Sequence, residues 1–174
     1  MMNPLLSSRW VLFAGLVFGL CSGVTGLDAQ ARVSASSSSS VRVWVEDPCK
    51  KGQVHSEVRI QGEYSTAGAL TVAAFDEMKL PYKGSVEGVQ SIFKTPESID
   101  AIEFESDTVF RIYGWCYEVD GLQPAVMPGE YHLSSGVREL RWFFGYARYR
   151  SGAWEGYCET DLLFQTYCES EWAE

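Results

Sequence analysis

Valine at positions 41, 43 and 45 alternates with Arg42, Trp44 and Glu46, and this two-residue period predicts a half-buried strand. The segment Asp47-Pro48-Cys49-Lys50-Lys51-Gly52 ends it with turn chemistry, so a second strand over about Val54–Tyr64 returns as a hairpin. The period then lengthens. Leu70, Ala73, Ala74 and Met78 recur at spacings of three and four, which places them on one face of a helix. Ser65 or Thr66 offers an N-cap oxygen, and Pro81 stops the helix. A helix this short is marginal alone and must rest on a sheet.

Further along, a short strand around Val89–Phe93 precedes a Thr95-Pro96 turn. The interval Thr108–Val119 is rich in β-branched and aromatic residues and predicts a strand closed by Asp120-Gly121. A long loop through Pro124, Pro128 and Gly129 leads to Ser135-Gly136. The strand Val137–Tyr149 follows, then a Ser151-Gly152 hairpin and a short strand Trp154–Cys158. Two strands, a helix and further strands define an α+β class, a β-grasp-like mixed sheet with one packed helix.

The N-terminus changes where this domain must work. Arg9 precedes an apolar run of 15 residues, Trp10–Val24, and Ala29-Gln30-Ala31 supplies the small-x-small pattern of a cleavage site. Residues 1–31 therefore read as a secretory signal, with the mature chain starting near Arg32. The run falls short of the roughly 20 residues that span a bilayer, which disfavours a retained anchor. Lipidation at Cys21 is disfavoured by bulky Leu20 before it. Residues 32–40, mostly serine, read as a flexible leader, 41–160 as the domain and 161–174 as an acidic tail.

Outside the signal, which holds only Arg9 and Asp28 as charges, the net charge stays at −9. That disfavours nucleic acid and anionic membrane surfaces as partners. Asn3 is the only asparagine, so the mature chain offers no N-glycosylation acceptor. Four cysteines remain, Cys49, Cys116, Cys158 and Cys168, and an even number in an exported domain predicts two disulfides with three possible connectivities. Closely spaced Cys/His ligand pairs are lacking, so no metal is expected.

The block Gly114-Trp115-Cys116-Tyr117-Glu118-Val119-Asp120-Gly121 comes with Pro124-Ala125-Val126-Met127-Pro128 and Arg141-Trp142-Phe143-Phe144-Gly145-Tyr146-Ala147. With Leu80-Pro81-Tyr82 and Ser91-Ile92-Phe93-Lys94-Thr95-Pro96, these blocks resemble the transcobalamin C-terminal-domain-like family of exported bacterial proteins. The resemblance covers about Val41–Cys158, with Asp120-Gly121 where the family usually has Asn-Gly. It implies a β-grasp fold, and most bacterial members have no known function. The large helical domain that encloses the corrinoid in full transcobalamins has no counterpart here. The topology also implies that the first strand runs parallel to the last long one. That would pair Cys49 with Cys158 and Cys116 with Cys168.

Catalytic templates are missing. Gly84-Ser85-Val86-Glu87-Gly88 has its serine one place early for a nucleophile elbow, and no phosphate-binding glycine pattern occurs. His55 and His132 stand alone and read as ordinary surface residues. Glu103, Glu105 and Asp107 alternate along one face and read as a solvated edge. The aromatics carry the remaining signal. Leu140, Trp142, Phe144 and Tyr146 share one strand face, Arg141, Phe143 and Tyr149 the other, and Tyr113, Trp115 and Tyr117 alternate with Ile112, Gly114 and Cys116. One aromatic set forms the core. The other either stacks on a flat or sugar-like ligand, with Arg111, Arg141 or Arg148 as clamps, or is covered by the tail hairpin through Trp154 and Tyr157.

The expected function is a noncatalytic, cofactor-free binding module, periplasmic or secreted. Tyr113, Trp115, Tyr117, Arg141 and Phe143 are its candidate ligand-binding residues, and its partner is a small molecule or an envelope or secreted protein. Alternatives are a structural or protein-interaction module and, less favoured, a small hydrolase using paired carboxylates or an unpaired Cys116.

Overall fold

Val43 and Val45 are fully buried, and the strand that carries them, β1 (Ser40–Glu46), forms the parallel partner of the longest strand in the sheet. The computed structural model describes residues 40–171. The expected signal 1–31, Cys21 and the expected leader up to residue 39 lie outside the described residues, and Ser40 already pairs with Gln61 in the first hairpin.

The remaining strands are β2 (Val54–Gln61), β3 (Tyr82–Ser85), β4 (Gly88–Ile92), β5 (Ile102–Ser106), β6 (Val109–Val119), β7 (Glu139–Arg150) and β8 (Ala153–Glu159). The helices are α1 (Ala67–Met78) and α2 (Gln165–Glu171), with a 3-10 turn at Ser98–Ala101. Six strands form one mixed sheet, five in the order β2-β1-β7-β6-β5 with β8 added on β7, and β3-β4 is a separate hairpin. Only β1 and β7 are parallel. On that same edge of β7, β1 pairs with residues 139–142 and β8 pairs antiparallel with residues 146–150.

Strand expectations hold for β1, β2, β4, β6, β7 and β8 within a few residues, and the alternation of Glu103 and Glu105 marks β5 as the edge strand it is, whereas β3 had no clear pattern. Both are short: β3 has a single half-buried end, and β5 alternates Glu with Ile or Phe at an edge. α1 starts at Thr66, whose Oγ1 accepts from Ala69 N at 3.2 Å, and ends where Lys79 turns left-handed before Pro81. Its buried stripe is Ala67, Leu70, Thr71, Ala74 and Phe75 rather than one centred on Ala73. The stripe rotates because Phe75 packs edge-on to Trp142, with centroids 5.9 Å apart. Gly68 is required at the first turn. A Cβ there would lie 1.8 Å from the Val86 carbonyl oxygen of the β3-β4 turn.

Two cores share the sheet face under α1. The larger joins β1, α1, Ile92, Trp115, Tyr117, Leu140 and Trp142. The smaller gathers Ala101, Tyr113, Tyr146, Phe164 and Tyr167. The expected acidic tail is thus partly core: Phe164 and Tyr167 are both 5% exposed.

Disulfides join Cys49 to Cys168 and Cys116 to Cys158, which overturns the expected Cys49–Cys158 and Cys116–Cys168 pairing. The cause is the route of the chain after β8. Cys158 and Glu159 cross the sheet behind Gly145, where a Cβ would meet the Glu159 carbonyl at 2.9 Å. Cys116, opposite Phe143 in the ladder, points to that rear face. Only beyond Glu159 does the chain reach the front, where Asp161 takes a hydrogen bond from Tyr146 and α2 meets Cys49. Two disulfides point to an oxidising, extracytoplasmic environment. Among the described residues no helix is long and apolar enough to cross a membrane.

Peptide mapping of the unreduced protein tests this route. It is expected to release Cys49 joined to Cys168 and Cys116 joined to Cys158. A fragment linking Cys49 to Cys158 would contradict it.

Candidate binding groove

Register decides which aromatic rings are available. In the β6-β7 ladder Tyr113 faces Tyr146, Trp115 faces Phe144 and Tyr117 faces Trp142, so all six rings lie on the helix side. Trp142 donates Nε1–H to Thr71 Oγ1 at 3.0 Å, and Trp115 donates to Thr95 Oγ1 at 2.7 Å. These bonds satisfy both buried indoles and tie the sheet to α1 and to the segment after β4. Phe164 stacks on Tyr113 with centroids 4.6 Å apart. The three candidate rings of β6 are therefore core, at 5%, 9% and 7% exposure along the strand.

Arg141 and Phe143 are on the other face, so the five candidates do not form one surface. Phe143 is buried there beside Cys116. Arg141 lies 4.6 Å over the Phe143 ring and 5.2 Å over Trp44, with its guanidinium held by Glu46 and by Glu118 at 3.0 Å. An arginine so occupied positions strands. Arg111 and Arg148 are likewise committed, to Glu103 and Glu105, so those carboxylates are paired, with only Asp107 left in a turn. The rear face also carries Phe104, Phe110, Tyr149 and Trp154 across four strands, but Phe110 stacks on Tyr149 at 4.9 Å and Trp154 packs edge-on to both. Of the two alternatives for the second face, packing by the tail hairpin is seen for Phe110 and Tyr149, through Trp154. Tyr157 does not join it.

Tyr157 instead borders a groove of about 660 Å³ along β6. Val89 and Gly88 of β4 form one wall, and Gln123 to Pro128 form the other. Trp115, Tyr117 and Trp142 reach it from the front, and Cys116 with Cys158 from behind. Tyr117 Oη donates to the Val126 carbonyl at 2.8 Å and so anchors the loop wall to the strand. Val126, Met127 and Tyr157 remain 45%, 56% and 65% exposed, an apolar rim open to solvent. Glu130 is the one charged lining residue. A second hollow of about 570 Å³, bounded by Val41, Tyr64, Leu133 and Val137, opens beside the start of β1, where the chain continues into undescribed residues.

Thus Trp115 and Tyr117 border the site with one edge while their rings are mostly core. Tyr113, Arg141 and Phe143 are outside it. Val126, Met127 and Tyr157 were missed, although an apolar triplet between Pro124 and Pro128 was a visible signal. Elsewhere, the His55 ring lies 4.0 Å from that of Phe93, and His132 forms a strand-like bridge with Thr66 at the start of α1. Among the described residues no group of three or more His, Cys, Asp or Glu could hold a metal ion.

The chain is thus a disulfide-linked, mostly stranded α+β domain with an apolar groove at the sheet edge. No family model, curated protein or solved structure matches it.

Burial holds the phenols of this face in their neutral form. Desolvation, then Tyr131 and Glu130, pushes Tyr117 up to about 12. Desolvation, then the bond to Asp161, pushes Tyr146 to about 12, and desolvation with Glu103 raises Tyr113 as well. Below the ordinary value of 10.0 these phenols are protonated in both folded and unfolded chains and leave stability unchanged. Above it only the unfolded chain loses the protons, so stability falls as pH rises from 10 towards about 12. Ultraviolet titration is expected to show these three tyrosines ionising only as tertiary structure is lost. Ionisation of all nine tyrosines near pH 10 in a still-folded protein would contradict the burial.

Proposed function

We propose that this chain is an exported, noncatalytic binding domain of β-grasp type, periplasmic or secreted, and that the groove along β6 is its binding site. One observation carries the reading: an apolar, solvent-open groove is walled by two of the blocks through which the sequence resembles the transcobalamin C-terminal-domain-like family, Gly114–Gly121 and Pro124–Pro128. The parallel β1-β7 pair and α1 packed across the core face support the β-grasp assignment. The lining supports binding over catalysis. Its two cysteines are joined to each other, and Glu130 is its one acidic group. A groove with mostly apolar walls and a few polar groups is the usual form of a ligand site.

Nile red, a neutral apolar dye, tests the site without knowledge of the natural ligand. Its fluorescence is expected to rise and shift to the blue with the wild-type protein. Met127→Glu and Tyr157→Ala should each weaken this at least about tenfold, a loss of roughly 1.4 kcal/mol, with unchanged thermal midpoints. Equal dye binding by both variants would contradict the assignment.

A further inference from the structure

The groove borders three consecutive residues of one strand, Trp115, Cys116 and Tyr117. Neighbouring side chains on a strand point to opposite faces, so a cavity reaches three in a row only along the strand's edge. The topology explains why that edge is open. β5 pairs with β6 only as far as Ile112, and among the described residues no strand pairs with residues 113–118 on the side away from β7. Asp120 N–H bonds to Glu139 across the ladder and Val119 N–H to Leu122 outside it, so by alternation Trp115 and Tyr117 direct both N–H and C=O groups away from β7, on the groove side. The three groove-lining residues offer roughly 10 Å of template.

The other exposed edges carry the features that discourage pairing. β5 has Glu103 and Glu105 and a bulge between Phe104 and Ser106, and β2 has His55, Glu57 and Arg59. The open stretch of β6 has only Glu118, and that is tied to Arg141. Beside the open backbone stand apolar side chains and carboxylates. Glu130 lines the groove and Glu87 the adjoining hollow beside Met127, whereas neither lining contains a lysine or arginine.

We infer that the groove accepts an extended peptide segment of a partner protein as an added strand on β6, with apolar side chains entering the walls and lysine or arginine facing Glu130 and Glu87. The inference rests on the proposed binding role of the same groove and names its ligand class. Backbone pairing supplies affinity in strand addition, and the pockets flanking the edge supply selectivity.

The test uses the full chain and a capped octapeptide alternating valine and lysine, read by amide hydrogen exchange. The peptide is expected to slow exchange within residues 113–118. Backbone N-methylation of either all valines or all lysines should abolish binding while the other series spares it, because only one set faces β6. A valine–glutamate peptide should bind at least about tenfold more weakly. No protection at saturating peptide, or equal effects from both methylated series, overturns the inference. So does protection of residues 113–118 in the free protein, whether by a second copy or by its own N-terminal segment. If Nile red binding persists while the peptide fails, only the strand-addition inference falls. If both fail, the groove is not a binding site.

Discussion

The β6-β7 ladder is the constraint on which the rest depends. Eleven aligned pairs, from Val109 opposite Arg150 to Val119 opposite Leu140, set the direction of every ring on these two strands. A slip of one residue would turn Tyr113, Trp115 and Tyr117 to the rear face while Tyr146, Phe144 and Trp142 stayed in front, so the register is strongly determined by burial. Tyr117 stacked on Trp142 at 5.5 Å then presents that indole to Thr71, which seats α1. At the other end Tyr113 presents its ring to Phe164, which seats the tail. Helix and tail dock on one pair of strands, and their positions follow from it.

β7 is also where the chain spends its connectivity. One edge carries β1 and then β8, and between them the backbone crosses from rear to front around Gly145. Each side of that crossing is fixed covalently, by Cys116–Cys158 behind and Cys49–Cys168 in front. Cross-links closing loops this long act mainly by restricting the unfolded chain, at about 4–5 kcal/mol each in the chain-entropy picture. With so much structure on β7, the far edge of β6 is paired, among the described residues, with the short β5 alone. The groove is the consequence: a strand built to organise the core is left open on one side.

Much of this could be read from the chain beforehand. The alternating valines, the Thr66 cap, the Pro81 stop and the two long aromatic strands mark their elements through local periodicity and turn chemistry. What could not be read is long-range. Whether the Tyr113–Trp115–Tyr117 face or the Phe143 face turns inward depends on which side α1 packs, and strand alternation is symmetrical on that point. The disulfide pairing depends on the crossing at Gly145, which leaves no periodic trace. Arg141 has the composition of a clamp, but Glu46, Glu118, Trp44 and Phe143 take up its donors and its faces. The groove itself is made by an absence, β5 ending at Ile112's partner, and a missing neighbour has no sequence signature.

The most direct measurement is residue-resolved amide exchange on the free protein. Slow exchange is expected at every amide of residues 109–112. Along the groove a two-residue alternation is expected, slow at Gly114, Cys116 and Glu118, whose N–H groups face β7, and fast at Trp115 and Tyr117. Uniformly slow exchange along the whole of β6 would show that its outer edge is already paired, and would contradict the account.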